Sequence, residues 1–297
     1  MIAIGLFGIT MGACAKVEAS ARAAGLAERL GYDSVWAPEH AVLPAPRPPN
    51  SPLDPSYPIL DPLVTLAHVA ALTTRIKLAT GVVLIPQHHP VVLSKQLVTL
   101  DLLSAGRLMF GVGVGYLDDE LRASGVPMGE RGSRADEYLR ALHSLWADEH
   151  PHCEGAHVNI VDVDAHPRPT GGRIHVVVGG QAPAAHRRAV QFGAGWYGFM
   201  LDRAAVATQL ESLRRSAQAI GRDLAELEIS VTPVEPLTNQ IVADYAALGV
   251  HRLVVAPPRG QFWRTGWSYT DYENFIHRNA PAQIGATEIS TTPAGQR

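Results

Sequence analysis

The sequence predicts an α/β fold in the form of a (β/α)8 TIM barrel, and three observations lead to this prediction. Eight short apolar segments are typical of strands, each is followed by helical or helix-like sequence, and no repeat or linker interrupts the series. Strands that alternate with helices run parallel, and eight such units close into a barrel. A chain of 297 residues, 46% of them hydrophobic, is long enough for a single barrel domain over residues 1–297.

The predicted strands are short apolar runs, as expected for a buried parallel sheet. They cover residues 2–7, 34–37, 76–85 with an interruption at Gly81, 108–114, 174–178, 195–199, 227–231 and 253–256. The predicted helices cover residues 17–30, 62–74, 90–105, 134–146, 184–192, 203–220 and 239–248, and a weakly helical aromatic unit is expected over 261–278. Asp61 and Ser133 are the expected N-caps of two of these helices.

Three segments are expected to lie outside the regular alternation. The proline-rich stretch at about 41–59 is too long for an ordinary connection, and loops of this kind are usually lids or binding loops. The stretch at about 151–170 contains alternating residues with a glycine turn, which predicts a small β insertion. The tail at about 281–297 is small and polar, and we expect it to be mobile.

The composition argues against several classes of partner. The net charge is −3 and no basic run occurs, so nucleic acid and anionic membranes are not expected to bind. No apolar run approaches the ~18 residues that a membrane span needs. Cys14 and Cys153 are far apart in sequence and predict neither a disulfide framework nor a zinc site. We expect a cytoplasmic protein whose partner is a small-molecule substrate.

A glycine-rich strand, RLMFGVGVGYLDDE at 107–120, is the most informative stretch of the chain. Gly111, Gly113 and Gly115 occupy every second position and leave one side of the strand without side chains, so that another backbone or a flat ligand can approach. A glycine-rich turn into a helix also leaves backbone N–H groups free for a cofactor phosphate. These residues alone leave open whether the glycines serve a ligand or the tight packing of a barrel strand.

Active sites of such barrels lie at the carboxyl ends of the strands. This rule selects Glu39, His40, residues 81–84, 113–116 and 179–181, Phe199, and the aromatic residues Phe262, Trp263 and Trp267.

His40 is a candidate general acid or base, because histidine is the side chain that commonly exchanges protons near neutral pH, and a loop histidine that only donates a hydrogen bond is an alternative. Glu39 could orient it or a ligand hydroxyl. A Schiff-base aldolase would have only Lys16 in the first loop as its lysine, and no His and Asp ligand set for a metal is evident, so we expect no metal site. With so few ionisable groups, the strand ends favour a flat, phosphate-bearing cofactor.

Five segments, in this order, carry a family resemblance. They are ERLGYDSVWAPEH at 28–40, RIKLATGVVLIPQHHP at 75–90, LDLLSAGRLMFGVGVGYLDDEL at 100–121, ERGSRADEYLRALHSLW at 130–146 and HVVVGGQAPAAHRRAVQFGAGWYGF at 175–199. The chain resembles the luciferase-like monooxygenase superfamily over residues 1 to about 260. The likeness is greatest to its branch of oxidoreductases that depend on the deazaflavin coenzyme F420.

The resemblance implies a set of cofactor-binding positions. Glu39 and His40 match an acidic–histidine pair beside the reactive centre of the deazaflavin. Gly81 and Val82 match a non-proline cis peptide that lies against the back face of the ring. The positions that match the binding stretch of the ribityl-phosphate arm are Gly113, Val114, Gly115 and Asp119, and those that pass close to the ring are Gly179 and Gly180.

The implied activity is hydride transfer between F420 and a small organic substrate, with His40 as the proton-transferring or hydrogen-bonding residue and Tyr116 as a second donor. Glucose 6-phosphate is not the expected substrate, because Pro44 and Tyr116 stand where sugar-phosphate dehydrogenases of this branch have Trp and Glu. Alternatives are an FMN-dependent monooxygenase using reduced flavin and O2, a non-catalytic cofactor-binding barrel, and a phosphosugar isomerase or aldolase. By analogy with the family we expect a homodimer.

Overall fold

The computed structural model describes residues 2–258 and 267–284. Its strands are β1 (Ala3–Phe7), β2 (Ser34–Ala37), β3 (Lys77–Thr80), β4 (Val83–Leu84), β5 (Leu108–Gly113), β6 (Cys153–Glu154), β7 (Asn159–Ile160), β8 (His175–Gly179), β9 (Gly195–Leu201), β10 (Glu228–Pro233) and β11 (Arg252–Val255). Its helices are α1 (Val17–Arg29), α2 (Pro62–Leu72), α3 (Pro90–Leu103), α4 (Asp118–Ala123), α5 (Arg131–Ala147), α6 (Pro183–Phe192), α7 (Arg203–Gln218), α8 (Asn239–Ala247) and α9 (Tyr269–Arg278).

Eight parallel strands close into a barrel, which confirms the predicted fold. Each strand pairs with the next in the order β1, β2, β3, β5, β8, β9, β10 and β11, and β11 pairs with β1. The short strand β4 follows β3 after an interruption at Gly81 and pairs with β5 farther along. The carboxyl ends of all eight strands therefore meet at one mouth of the barrel.

The barrel interior below this mouth is filled by aromatic side chains from strands that are not neighbours. Trp36 on β2 and Tyr197 on β9 have ring centroids 4.6 Å apart, and Phe7 on β1 lies 5.0 Å from Phe199 on β9. Because these contacts cross the barrel, they define its packed floor. The mouth above this floor is where a ligand can bind.

The amino end of the barrel is closed by charged side chains. Arg252 at the start of β11 is fully buried, and its guanidinium donates to the carboxylates of Asp33 and Glu228. Lys77 adds a second ion pair to Asp33 at 3.2 Å. These ion pairs therefore join β10 and β11 to the start of β2 and β3, on the other side of β1, at the end of the barrel that is remote from the predicted site.

The local capping signal predicts the start of α2 correctly but not that of α5. Asp61 caps α2 by accepting from the Val64 backbone N–H at 2.8 Å, as its position before Pro62 predicts. The prediction that Ser133 is an N-cap is wrong, because α5 already begins at Arg131. The Ser133 hydroxyl instead donates to the Glu130 carbonyl at 3.0 Å, inside the first turn.

The two insertions predicted from composition are irregular or short in the structure. Residues 151–170 contain the antiparallel pair β6–β7. Residues 41–59 contain no helix and only an isolated bridge from Ile59 to Met11, and buried Leu53 and Tyr57 pack this segment onto the core. Arg47 donates within the segment to Ser51 and Asp54. Its role as a lid stays a prediction.

Part of the predicted carboxyl-terminal unit lies outside the described residues, namely 261–266 with Phe262 and Trp263, and 285–297 of the tail. Helix α9 confirms that the end of this unit is helical, and its N-terminus carries a reciprocal capping box between Ser268 and Asp271. Across residues 2–258 and 267–284, every helix is too short or too polar to span a membrane.

Candidate active site

His40 lies just beyond the carboxyl end of β2, after Pro38 and Glu39, and is held by a carboxylate that the sequence did not single out. Its Nδ1 lies 2.8 Å from Glu120 Oε2, and the other carboxylate oxygen accepts from the Ala41 backbone N–H at 2.9 Å. The Glu120 side chain is only 1% exposed. With Nδ1 engaged, Nε2 is the ring atom of His40 that can exchange a proton with a ligand, as in other carboxylate–histidine pairs.

Glu39 forms a second carboxylate–histidine pair next to the first. Its Oε1 lies 2.9 Å from His88 Nε2, and its Oε2 accepts from the Leu84 backbone N–H at 2.6 Å. Burial by itself lowers the pKa of His88, but the hydrogen bond and charge of Glu39 outweigh it, so the pKa is raised. Glu39 thus joins the end of β2 to β4, and both of its carboxylate oxygens have hydrogen-bond partners within the protein.

Tyr116 lies beside His40. The two rings meet edge to face with centroids 5.9 Å apart, and the tyrosine is 45% exposed. Partial burial, aided by the nearby charge of Glu120, raises the pKa of Tyr116 to about 12. The phenol therefore stays protonated at neutral pH and can donate a hydrogen bond to a ligand at the mouth.

The Gly81–Val82 peptide is cis, which confirms the expected backbone geometry. A Cβ placed on Gly81 would lie 3.3 to 3.4 Å from Trp36 and Phe7, so this residue rests on the aromatic floor. The Gly81 N–H donates to the Ala37 carbonyl at 2.8 Å. Its predicted place behind a cofactor ring stays a prediction.

Of the two roles that the sequence leaves open for the strand glycines, the structure shows tight packing, because the segment at Gly81–Val82 fills the space beside them. A Cβ on Gly113 or Gly179 would come within 2.6 or 2.9 Å of the Val82 side chain, and one on Gly111 within 1.9 Å of the Thr80 carbonyl oxygen. The remaining cavity bordered by Gly113, Val114 and Gly179 is only about 10 Å³. The space beside these glycines is therefore occupied by the protein itself, and a ligand would contact Val82 before it reached them.

The other predicted positions differ in how they relate to this cluster. Gly115 and Gly180 have φ of 79° and 122°, which explains glycine at each turn. Asp119 points away on the exposed side of α4, where it accepts from Arg122 at 3.1 Å. The structure therefore brings Glu39, His40 and Tyr116 together and leaves Asp119 with a surface partner.

Glu120 and His88 are the functional candidates that sequence reasoning missed. Glu120 is one of three consecutive acidic residues, and only its spacing from buried Leu117 and Leu121 indicates an inward face. His88 lies two residues before α3, which begins at Pro90 as predicted, and its place beside a helix start gives no sign of a role in the site. Neither pairing follows from local sequence, since each joins segments more than 40 residues apart.

The residues around the mouth fit a flat cofactor with a polar ring edge. Gln87, immediately before His88, has both amide atoms buried without a hydrogen-bond partner among the described residues. A buried amide of this kind can satisfy a ring that offers both N–H and C=O groups, as flavins and deazaflavins do. Within the described ranges no group of three or more His, Cys, Asp or Glu could hold a metal ion.

Comparison with known proteins identifies the family. The family model described as luciferase-like monooxygenase matches residues 7–240. The chain belongs to the luciferase-like monooxygenase family. An uncharacterized relative from Mycobacterium tuberculosis is 35% identical over 247 residues, covering 80% of this chain and 86% of the relative. The F420-dependent glucose-6-phosphate dehydrogenase of Kineococcus radiotolerans is 32% identical over 214 residues, covering 69% and 60%.

Several solved structures share the fold at lower identity. Monooxygenase RslO1 from Streptomyces bottropensis has a TM-score of 0.69 at 24% identity, covering 95% of this chain and 99% of that chain. An F420-dependent secondary alcohol dehydrogenase with an F420–acetone adduct has 0.69 at 16%, covering 96% and 84%. The oxygenating constituent of 3,6-diketocamphane monooxygenase from Pseudomonas putida, in complex with FMN, has 0.65 at 19%, covering 83% and 71%. Proteins of this fold thus include users of F420 and of FMN.

Proposed function

We propose that this luciferase-like protein is an F420-dependent oxidoreductase that transfers hydride between the deazaflavin and a small organic substrate. The observation that carries the proposal is the His40–Glu120 pair at the carboxyl end of β2, with Nδ1 bound and Nε2 available. When bound, F420 supplies a hydride donor or acceptor at C5 of its ring. The protein then has to position the ring and manage one proton.

His40 is the residue that handles this proton. In the neutral ring, the Nδ1–H donates to Glu120, so Nε2 carries the lone pair and can take the hydroxyl proton of an alcohol substrate. In the reverse direction, the imidazolium returns the proton to a carbonyl oxygen while the Glu120 carboxylate stabilises its charge. Glu120 acts through His40 and is therefore a positioning residue.

Tyr116 and Val82 shape the space around His40 in this proposal. Tyr116 is protonated at neutral pH and donates to the reacting oxygen from the side of the His40 ring. Val82 offers an apolar surface to the back face of the cofactor ring, next to Gly113 and Gly179. Gln87 supplies the amide for the polar edge of the ring. Gly115 and Gly180 stay candidates for the backbone contacts of the phosphate-bearing arm.

The test is direct binding followed by turnover. Purified protein is titrated with oxidised and reduced F420 and, separately, with FMN, while the fluorescence of each cofactor is followed. We expect saturable binding of F420, weaker binding of FMN, and F420 absorbance changes with some members of an alcohol and carbonyl panel. Binding of FMN alone, with oxygen-dependent turnover, would identify a flavin monooxygenase instead. Tight F420 binding without turnover across the panel would indicate a non-catalytic barrel.

The His40→Ala variant separates chemistry from binding. We expect its kcat to fall by about 100-fold or more, the usual contribution of a general acid or base, while the Kd for F420 changes by less than about threefold. His277→Ala, at an exposed position on α9, is the matched control and should keep both values. A loss of binding with unchanged turnover at saturation would give His40 a structural role.

A further inference from the structure

A cavity of about 360 Å³ lies at the carboxyl ends of β9, β10 and β11, on the side that faces α9. Its wall includes Pro233 and Val255 from the strands, and Phe275, Arg278 and Asn279 from α9. The spacing of these three α9 residues places them on one face of the helix. The volume lies within the range of about 300 to 1,000 Å³ that is typical of small-molecule sites.

This cavity is separate from the space around His40. Arg252 closes the amino end of the barrel from inside, where it donates to Ser230 of the neighbouring strand. Side chains alternate along a strand, so Val255 points to the opposite face of β11, toward α9. Among the described residues that line the cavity, neither His40 nor Val82 occurs. A ligand in the cavity would therefore lie between the strand ends and α9.

Much of the wall is apolar and carries few hydrogen-bond donors. Two aromatic side chains contribute to it, Trp267 and Phe275, with ring centroids 6.2 Å apart. Four prolines also line the cavity. They are Pro233, Pro236, Pro257 and Pro258. Proline has no backbone N–H and a nearly fixed φ, so this part of the wall is stiff and cannot donate hydrogen bonds from its backbone. The body of a ligand that fits here is therefore apolar.

The one carboxylate among the described residues of the wall is already engaged by the protein. Glu235 accepts from the Tyr245 hydroxyl at 2.7 Å, and its other oxygen lies 3.4 Å from the Arg203 guanidinium. Its charge is therefore balanced outside the cavity, and it does not call for a cationic ligand.

Arg278 is the second charged side chain of the wall, and its guanidinium is available to a ligand. Across residues 2–258 and 267–284, no carboxylate forms an ion pair with it and no group accepts a hydrogen bond from it. An arginine fork binds a carboxylate through two parallel hydrogen bonds. A phosphate dianion fits less well, because it would bring two charges to one cation beside prolines that offer no N–H.

We propose that this cavity is a binding site for a small carboxylic acid with an apolar body. The carboxylate would pair with Arg278 at the end of α9, and the apolar body would lie against the proline and aromatic wall. The inference depends on the fold and on this cavity, and it is independent of the cofactor and of the reaction at His40.

The test is isothermal titration calorimetry of the whole chain with four probes, namely octanoate, 3-phenylpropanoate, octan-1-ol and inorganic phosphate. We expect saturable binding of at least one acid with one molecule per chain. The acid that binds more tightly shows whether the cavity prefers a chain or a ring. Octan-1-ol should bind at least about tenfold more weakly than octanoate, since it cannot form the charged pair. Phosphate should show no saturable binding.

Two variants and one control assign the binding to this cavity. Arg278→Met should weaken the binding of the acid at least about tenfold and change that of octan-1-ol by less than about threefold. Val234→Trp, at a half-exposed position of the wall, fills space and should weaken both probes. Arg214→Met removes an exposed arginine that does not line the cavity and should change neither affinity.

Circular dichroism and thermal melting establish that all three variants are folded. The absence of saturable binding of either acid to the wild-type chain overturns the proposal. Acid binding that is unchanged in Arg278→Met and in Val234→Trp also overturns it, because the acid would then bind elsewhere on the protein.

Discussion

Carboxylates pair with cationic groups at both ends of the barrel, but the cations differ. At the amino end, Asp33 and Glu228 accept from the guanidinium of Arg252. At the carboxyl end, Glu39 and Glu120 pair with His88 and His40. Arginine stays charged throughout the pH range in which proteins are folded, whereas histidine gains and loses a proton near neutrality. The ion pairs of Arg252 at the amino end therefore keep their cation at every pH, whereas the histidines at the carboxyl end can exchange protons.

The pKa values of two histidines, one at each end of the barrel, are shifted in opposite directions. The pKa of His88 at the mouth is raised, because the hydrogen bond and charge of Glu39 outweigh its burial. The pKa of His175 at the amino end is lowered by burial, and nearby Arg252 and Lys77 act in the same direction against Glu228. The surroundings of His88 therefore favour its protonated form, and those of His175 favour its neutral form. In barrels of this kind the catalytic groups are expected at the carboxyl end, where His88 lies.

The largest effect on stability is expected when the ion pairs of Arg252 at the amino end are removed. Arg252→Met leaves the carboxylates of Asp33 and Glu228 without their shared buried cation, with only Lys77 to compensate Asp33. We expect the free energy of unfolding to fall by about 3 to 5 kcal/mol, measured by chemical denaturation.

Arg214→Met is the control for Arg252→Met. Arg214 is paired with Glu211 on the exposed side of α7, at 2.6 Å, with both side chains about half exposed. Its loss should change stability by no more than about 0.5 kcal/mol. Equal losses of unfolding free energy in the two variants would contradict the view that the ion pairs of Arg252 stabilise the fold more than a surface ion pair does.

The next largest effect is expected at the carboxyl end of the barrel, where a change at Glu120 should lower turnover. Glu120→Gln keeps the shape of the side chain but removes the charge that balances a protonated His40. We expect kcat with the bound cofactor to fall by about 100-fold, about 2.7 kcal/mol, while KM and cofactor affinity stay within about threefold. A merely structural role would lower the melting temperature and weaken binding without this split. Glu226→Gln, at an exposed carboxylate that pairs with Arg222, should leave both constants unchanged.

The fold was predictable because it depends on local patterns, and much of the site was not because it depends on contacts across the barrel. Strand and helix periodicity located all eight barrel strands, and the rule that sites lie at strand ends selected Glu39 and His40. Nothing in the run of acidic residues at 118–120 states that only Glu120 turns inward. The role of the β5 glycines stayed open for the same reason, because their neighbour Val82 comes from the segment between β3 and β4.

The close approach of Val82 to Gly113 leads to a prediction about how the mouth is built. Gly113→Ala would bring its Cβ to 2.6 Å from the Val82 side chain, so Val82 must move. We expect a loss of about 1 to 3 kcal/mol in the free energy of unfolding, and partial recovery in the double variant with Val82→Ala. Gly25→Ala in α1 meets only the flexible end of Arg29 at 3.5 Å and should stabilise by about 0.5 to 1 kcal/mol. An unchanged free energy of unfolding in Gly113→Ala would instead indicate that the strand edge at Gly113 is open.

The smallest effect is the pH dependence of stability, in which the two ends should differ in sign. The raised pKa of His88 means that its contribution to stability is complete below its unfolded value of 6.5 and is lost as the pH rises through the folded value. The lowered pKa of His175 means that its contribution is complete above 6.5 and is lost as the pH falls through the folded value. The stability difference between wild type and His88→Gln should therefore shrink toward alkaline pH, and that for His175→Gln should shrink toward acidic pH. Unfolding free energies across the neutral range measure both differences, and two curves of the same slope would show that the ends do not treat a proton differently.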